Sequence, residues 1–216
     1  MGMYPCQIIF SRKQHIMNGP ELSHAISLAS RLPGLGPRSA RRLILHLLKR
    51  RTETLRPFIQ ALVEMEQNVK TCQTCFSLDT HDPCTLCTDP RRDQLTLCIV
   101  ADVADVWALE RAHTYKGRYH VLGGLLSAVD GIMPHQLTLE PLLHRVKNSG
   151  ITEVVLALNA TVEGQTTLHY IADLLHPFGV KLSTLAHGVP VGGELDYLDD
   201  GTLHTAFTAR RTLEAA

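Results

Sequence analysis

Apolar residues in the N-terminal part of the chain recur at helical spacing. From Glu21 onward one set repeats every three or four residues, as on one face of an α-helix: Leu22, Ala25, Ile26 and Ala29. This predicted helix runs into a tight turn at Leu32-Pro33-Gly34-Leu35-Gly36-Pro37. Pro37 suits the first position of a second helix because its fixed φ is already helical, and we expect that helix to reach about Lys49.

A third helix is predicted just after Pro57, from a set with spacings of four, three and four residues: Phe58, Leu62, Met65 and Val69. Residues 1–20 show neither a helical nor a strand period, and we expect them to form a disordered extension. An all-helical unit is therefore predicted over residues 21–70.

The pattern changes near residue 94, where short apolar runs alternate with amphipathic segments. Four strands are predicted, at Leu95–Val100, Tyr119–Leu122, Ile151–Leu158 and Val180–Leu185. Three helices are predicted between them, at Asp105–Ala112, Thr138–Lys147 and Thr166–Leu175. This alternation predicts a parallel sheet with helices packed on it, so the fold class is α/β.

Composition and charge narrow the classes of function. The chain has 216 residues, 44% of them hydrophobic, but no apolar run approaches the roughly 18 residues that cross a bilayer. The 21 basic and 21 acidic residues balance, which excludes a uniformly basic protein. Between Arg31 and Arg51, however, all charged residues are basic: Arg31, Arg38, Arg41, Arg42, Lys49, Arg50 and Arg51. We expect this segment to attract anions.

The second predicted helix separates apolar from basic residues. One side carries Ala40, Leu43, Ile44, Leu47 and Leu48, and the other carries Arg38, Arg41, Arg42, His46 and Lys49. Glycines in the preceding turn allow close approach to its backbone, and N–H groups at the helix start can hold a phosphate. The pattern resembles a helix-hairpin-helix motif, which grips the sugar-phosphate backbone with little sequence preference. The predicted DNA-binding residues are Gly34, Gly36, Arg38, Arg41, Arg42 and Lys49.

Two other interpretations of this segment compete. The arginines could form an ordinary solvated helix face, as most runs of charge do. Gly34 and Gly36 could begin a dinucleotide-binding fingerprint, but they follow a helix rather than a strand and no third glycine stands at the required spacing.

Two Cys-x2-Cys pairs lie eight residues apart, formed by Cys72, Cys75, Cys84 and Cys87. Two such pairs can place four thiolates tetrahedrally around one zinc ion and leave no position for water, which makes the site structural. Two disulfides are the alternative that a reducing compartment disfavours, and a thioredoxin-like redox pair would not explain the second pair. We therefore predict one structural Zn²⁺ per chain. His81 in the intervening loop is expected at the surface, and Cys98 is expected to be a small buried residue of a strand.

Longer motifs follow in a fixed order. They are Asp89-Pro90-Arg91-Arg92-Asp93, Asp105-Val106-Trp107-Ala108-Leu109-Glu110-Arg111, Tyr119-His120-Val121-Leu122-Gly123-Gly124, Thr161-Val162-Glu163-Gly164 and Val189-Pro190-Val191-Gly192-Gly193-Glu194-Leu195-Asp196-Tyr197. Together with the hairpin turn and the four cysteines, they resemble the RecR family of bacterial recombination mediators from about residue 20 to the C-terminus.

The resemblance implies a division of the chain and a set of partners. After the extension, we expect a helix-hairpin-helix domain over residues 21–70, a four-cysteine zinc finger over 71–90, a Toprim domain over 94–176 and a C-terminal oligomerisation segment over 177–216. The resemblance also implies a homo-oligomer, a dimer or a tetrameric ring, that surrounds DNA. It would act with RecO and RecF to load RecA onto single-stranded DNA.

Toprim enzymes use a Glu after the first strand and an Asp-x-Asp after a later one to hold magnesium. Here the first strand is followed by Ala101 and Asp102, and Ala101 takes the position where RecR relatives often carry Glu. The later strand is followed by Asn159 without paired aspartates, so the sequence lacks the catalytic cluster. The roles of Asp102 and Glu163 stay open. They could attract magnesium weakly or contact a partner, or they could be ordinary loop carboxylates.

The sequence thus favours a non-enzymatic DNA-binding mediator of recombinational repair. The N-terminus lacks the apolar core of a secretory signal, so we expect a cytoplasmic, nucleoid-associated protein with no membrane contact. A Toprim enzyme that hydrolyses or transfers strands is the second hypothesis, and the missing carboxylates disfavour it. A zinc-dependent adaptor that binds only proteins is the third, and the basic hairpin disfavours it.

Overall fold

The computed structural model describes residues 19–186 and 188–210. The chain separates into two compact units between Gln67 and Asn68, which we call the helical unit and the sheet unit. The disordered extension expected over residues 1–20 falls, except for its last two residues, outside the described residues.

The helical unit contains three α-helices. They are α1 (Pro20–Ala29), α2 (Pro37–Lys49) and α3 (Arg56–Asn68), the last preceded by a π-helical turn at Arg51–Leu55. Helices α1 and α2 pack against each other, and each begins with the proline that its first turn tolerates. The first two helices match their predicted ranges. The third begins at Arg56, directly after the π-helical turn and one residue before Pro57 rather than after it, and it ends before Val69.

The sheet unit begins with a small knuckle. Its antiparallel hairpin pairs β1 (Lys70–Thr71) with β2 (Leu78–Asp79), and the single-turn helix α4 (Thr85–Thr88) follows. A four-stranded parallel sheet comes next. Its strands are β3 (Thr96–Val100), β4 (Arg118–Val121), β5 (Glu153–Leu156) and β6 (Lys181–Thr184), in the order β4-β3-β5-β6. The predicted parallel sheet is confirmed.

Helices connect these strands and continue beyond the sheet. They are α5 (Val103–Ala112), α6 (Leu139–Asn148), α7 (Val162–Leu175) and α8 (Asp200–Thr208), with single 3-10 turns at Pro134–Gln136, His176–Phe178 and Leu195–Tyr197. Strand β6 lies within residues 177–216, the expected C-terminal segment, yet it pairs with β5 and is part of the sheet.

The core of the sheet unit lies on both faces of the sheet. In β3, Leu97 and Ile99 pack into one cluster with residues of α6 and α7, whereas Cys98 and Val100 pack into another with Val106 of α5. Successive side chains of a strand point to opposite faces, so a strand covered on both sides is apolar throughout. The prediction that Cys98 is buried in a strand is confirmed.

Helix α7 begins four residues before its predicted start. The side chain of Thr161 accepts a hydrogen bond from the backbone N–H of Gly164 at 3.1 Å and caps the first turn. A Cβ at Gly164 would collide with the backbone oxygen of Asn159, so the glycine lets this turn approach the end of β5. A polar cap and a close approach define this helix start, which the apolar period does not mark.

Candidate nucleic-acid interface and metal centre

Helix α2 exposes one face and packs with the other. Ala40 and Leu47 are buried, and Leu43, Ile44 and Leu48 are half-buried. The opposite face carries exposed basic side chains, namely Arg38, Arg41, Arg42, His46 and Lys49. The two faces therefore lie as the helical period predicted.

The turn before α2 presents open backbone. Gly34 has a φ of 76°, a left-handed conformation that side chains strongly disfavour. Gly36 is the N-cap residue and has a φ of −71°, which any residue adopts, and a Cβ there would meet no atom within 4 Å. Neither backbone strain nor internal crowding requires a glycine at position 36. A side chain at this position would change the capping of α2 and would obstruct a ligand that approaches from outside.

The first turn of α2 is free to receive an anion. No side chain caps it, and the N–H groups of Arg38 and Ser39 lie where a helix has no internal acceptors. None of the four ion pairs in the described part of the chain includes Arg38, Arg41, Arg42 or Lys49. The helix dipole adds positive potential at the same end. The turn and the basic face together form a surface suited to phosphate groups.

The knuckle brings the four cysteine side chains together. The sulfur atoms of Cys72, Cys75, Cys84 and Cys87 all lie within 4.8 Å of one another. Three of these residues are buried and Cys87 is half-buried. A compact set of four sulfur donors from two pairs is the ligand set of a closed tetrahedral zinc site. The cysteines therefore fit one Zn²⁺ and leave no open position for catalysis.

The thiols interact strongly with one another. Hydrogen bonds from the side chains of Cys75 and Cys87 lower the pKa of Cys84, whereas the contact with Cys84 raises the pKa of Cys75. The Sγ atoms of Cys75 and Cys84 are 3.4 Å apart. Several thiolates at this separation repel one another unless a cation lies between them, and binding of Zn²⁺ would release their protons.

Backbone and carboxylate contacts fix the loops of the knuckle. Asp79 accepts hydrogen bonds through Oδ2 from the backbone N–H and the hydroxyl of Thr85, at 2.7 and 2.8 Å. These two bonds lower the pKa of Asp79, and the bond from the backbone N–H has the larger effect. Asp82 accepts from the N–H of Gln73 at 2.9 Å and links the two cysteine pairs. His81 is exposed and outside the sulfur cluster, as predicted.

The knuckle is attached to the edge strand of the sheet. The N–H of Val121 in β4 donates to the carbonyl oxygen of Cys75 at 2.8 Å. The ring of Phe76 meets the buried His120 edge-on, with ring centroids 5.3 Å apart. Arg145 of α6 also reaches the knuckle, since its Nη1 donates to the carbonyl oxygen of Thr74 at 3.2 Å. Sequence analysis missed this role of Arg145, although a lone charge on an apolar helix face was a usable signal.

The carboxyl ends of β3 and β5 hold the two remaining candidate acids. Asp102 is exposed and caps α5: its side chain accepts from the N–H of Ala104 at 2.9 Å, and Asp105 accepts from the N–H of Asp102. Glu163 is exposed in the first turn of α7, where the helix dipole favours a negative charge. Within residues 19–186 and 188–210, the four cysteines are the single group of three or more His, Cys, Asp or Glu side chains placed to hold a metal ion.

The fold and these sites define a class of protein in which a helix-hairpin-helix, a four-cysteine zinc finger and a Toprim sheet follow one another in a single chain. Family models agree with this order. The RecR helix-hairpin-helix model matches residues 22–65, and the RecR four-cysteine zinc finger model matches residues 69–89. The Toprim model matches residues 96–186, and the RecR C-terminal model matches residues 188–211.

Curated relatives lead to the same family. A recombination protein RecR of Bartonella henselae is 58% identical over 195 residues, which cover 90% of this chain and 97% of the relative. A recombination protein RecR of Rhodospirillum rubrum is also 58% identical over 195 residues, covering 90% of this chain and 99% of the relative. The chain belongs to the RecR family.

Family membership and geometry agree on the cofactor. The matched four-cysteine zinc finger model and the four clustered sulfur atoms identify one Zn²⁺ per chain. Among the described helices, none has the length and apolar content that crossing a membrane requires.

Proposed function

We propose that this protein is a non-enzymatic mediator of recombinational DNA repair that binds DNA with little sequence preference. One observation carries the proposal: the exposed basic face of α2 adjoins a helix start that no side chain caps and a turn whose glycines leave the backbone open to a ligand. Such a surface contacts phosphates and does not read base edges. In this proposal Gly34 and Gly36 admit the backbone of the nucleic acid. The phosphates are neutralised by Arg38, Arg41, Arg42 and Lys49.

The proposal includes partners and a location. The protein acts with RecO and RecF to load RecA onto single-stranded DNA, in the cytoplasm and at the nucleoid. The exposed carboxylates of Asp102 and Glu163 lie at the starts of α5 and α7, where a partner could reach them. Asp102 also caps α5, and the charge of Glu163 suits the first turn of α7. We retain residues 21–70, 71–90, 94–176 and 177–216 as the functional division of the chain, with β6 of the last segment completing the Toprim sheet.

Self-assembly into a dimer or a tetrameric ring is part of the same proposal. Helix α3 has no buried residue, and its exposed apolar side chains include Phe58, Ile59, Leu62, Val63 and Met65. The segment after β6 exposes another set, including Val191, Leu195, Tyr197 and Phe207. Exposed apolar patches of this kind are typical of surfaces that a further protein chain covers.

The decisive experiment measures DNA retention and DNA integrity together. Purified protein is incubated with single-stranded, linear and supercoiled DNA, with and without magnesium and RecO. We expect retention without cleavage, and retention that is similar for unrelated sequences. Cleavage by the purified protein, or the absence of retention on every DNA, would contradict the proposal.

Gly36→Ala gives the sharpest variant for this assay, because a Cβ there meets no atom of the protein. We expect weaker DNA retention and a small loss of thermal stability, since Ala is a poorer N-cap residue than Gly. Gly150→Ala is unsuitable as a control because its φ of 65° would strain the backbone. Ser27→Ala, on an exposed position of α1 and outside the basic face of α2, is the better matched control.

A further inference from the structure

Arg145 is a buried arginine that has no carboxylate partner among the residues that the structure describes. It is 8% exposed and lies on the face of α6 that also buries Leu142 and Val146. The ion pairs found in the described residues all use other side chains. A buried charge is strongly unfavourable unless an opposite charge and hydrogen bonds compensate for it.

Hydrogen bonds satisfy only part of this guanidinium. Its Nη1 donates to the carbonyl oxygen of Tyr119 at 2.6 Å and to that of Thr74 at 3.2 Å. Its Nη2 is buried and has no acceptor among the described residues. Neutral carbonyl groups orient a guanidinium but do not neutralise it, so the structure leaves a positive charge to be balanced.

Thiol groups of the knuckle lie within electrostatic reach of Arg145. Burial lowers the pKa of Arg145, while negative charge on Cys87, Cys75 and Cys72 raises it. The neighbouring Arg118 repels it and lowers the same pKa. The carbonyl group that Arg145 contacts in the knuckle belongs to Thr74, the residue before Cys75.

Four thiolates around one Zn²⁺ carry two excess negative charges. The N–H of Cys84 donates to the Sγ of Cys72 at 3.3 Å, and the backbone N–H groups of Ser77 and Cys87 also contact ligand sulfurs. These neutral donors do not balance the two charges. We propose that Arg145 is the counter-ion of the zinc centre, so that α6 supplies a positive charge that holds the knuckle against β4. Arg145 is a positioning residue, since it acts through the cysteines and does not bind the metal.

The test separates charge from hydrogen bonding in the full-length protein. Arg145→Gln keeps an N–H donor without the charge, and Arg145→Lys keeps the charge with a different shape. The affinity for zinc is measured by competition with a chromophoric chelator. Partners that surround metal ligands commonly change metal affinity by roughly 10- to 100-fold. We expect a loss of at least about tenfold in Arg145→Gln and a smaller loss in Arg145→Lys.

A spectrum gives a second readout that a purely structural role would not move. In the cobalt-substituted protein, a positive charge beside the thiolates stabilises their electrons and raises the energy of the sulfur-to-metal charge-transfer band. We expect this band to shift to longer wavelength in Arg145→Gln and to stay near its original position in Arg145→Lys. Alkylation of the cysteines, followed as zinc release, should be faster in Arg145→Gln because the thiolates become more nucleophilic.

Arg92→Gln is the matched control, because Arg92 is another largely buried arginine of the sheet unit. It pairs with Glu110 and donates to the carbonyl oxygen of Gly117 at 3.0 Å. We expect this variant to lose stability without a change of band position. Wild-type zinc affinity and an unshifted band in Arg145→Gln would overturn the proposal. Equal losses in Arg145→Gln and Arg145→Lys would also overturn it, because charge would then not be the decisive property.

Discussion

At the scale of single residues, the face on which a charge lies determines what it can do. Arg42 stands on the exposed side of α2 without an ion pair, so its charge is available to a ligand. Arg145 is buried on an apolar helix face, and its charge acts inside the protein. Both are arginines of amphipathic helices, and their positions in the helical period separate the two roles.

Replacing Arg38 and Arg42 together with Ala tests the contacts to phosphate. Each lost contact with duplex DNA should reduce the slope of log affinity against log salt concentration by about 0.9. We expect weaker binding to all sequences alike, measured by fluorescence anisotropy over a salt series. Arg111→Ala, an exposed arginine of the sheet unit, is the control. An unchanged affinity in the double variant would remove these residues from the interface.

His120 predicts a pH dependence of stability. It is fully buried, and burial lowers its pKa to about 4 from an ordinary value of 6.5. Below about pH 6.5 the unfolded chain takes up a proton that the folded chain refuses, so stability falls as the pH drops towards 4. The loss from this group is at most about 3 kcal/mol.

The measurement compares urea unfolding of the wild type and His120→Gln between pH 7 and pH 4.5. Gln can still donate to the carbonyl oxygen of Thr138, which lies 3.0 Å from Nε2 of His120. We expect a shallower loss of stability in the variant. Loss of zinc in acid lowers the stability of both proteins, so its effect cancels when the slopes of unfolding free energy against pH are compared. Parallel pH profiles would show that His120 does not titrate in this way.

At the scale of secondary structure, the apolar period predicted the strands and helices that contribute side chains to the core. The four strands of the sheet and the helices α1 and α2 are found within a few residues of their predicted ranges because burial of their apolar side chains defines them. The hairpin of β1 and β2 has strands of two residues each, too short to show any period. The contact of Arg145 with Thr74 joins residues 71 positions apart, and spacing along the chain carries no trace of it.

The knuckle depends on its metal more than on an apolar core. Its buried cluster consists of Cys72, Cys75 and Cys84, with Leu86 and Cys87 packed against it. In small zinc peptides the metal contributes on the order of 10–16 kcal/mol of folding free energy, so one lost ligand should unfold the knuckle. We expect Cys72→Ser to contain less than one zinc per chain and to be less soluble, as measured by metal analysis and sedimentation.

The cysteine of β3 provides the control for this prediction. Cys98 is buried in the sheet and lies outside the sulfur cluster, so Cys98→Ser should keep its zinc. Full occupancy in both Cys72→Ser and Cys87→Ser would place the metal ligands elsewhere.

At the scale of the whole molecule, exposed apolar surface predicts assembly. Leu62 lies in the middle of α3 and is 42% exposed, next to other exposed apolar residues of the same helix. A charge at this position would be buried by any chain that covers α3, and burial of an unpaired charge is unfavourable. We expect Leu62→Glu to form a smaller assembly by light scattering, whereas Gln67→Glu on the same helix should leave the assembly unchanged. An unchanged mass in Leu62→Glu would place the contact elsewhere.

The Toprim sheet raises the question of catalysis for the molecule as a whole. A two-metal mechanism needs several carboxylates that converge within a few ångströms, but Ala101 and Asn159 stand where such enzymes carry acids. Asp102 is occupied in capping α5. We therefore expect no nicking, relaxation or primer synthesis during prolonged incubation of the wild type with supercoiled, linear and single-stranded DNA in magnesium or manganese.

Two conservative variants test this expectation. Asp102→Asn retains a side-chain oxygen that can cap α5, and Glu163→Gln keeps the shape of an exposed side chain. Both should retain DNA as the wild type does, because neither residue belongs to the basic face of α2. Weaker binding of RecO by either variant would identify these loops as a partner surface. An activity on DNA that co-purifies with the wild type and disappears in Asp102→Asn or Glu163→Gln would instead establish a Toprim enzyme. Each of these variants removes one carboxylate charge and keeps the fold, so a lost activity would point to a lost metal ligand.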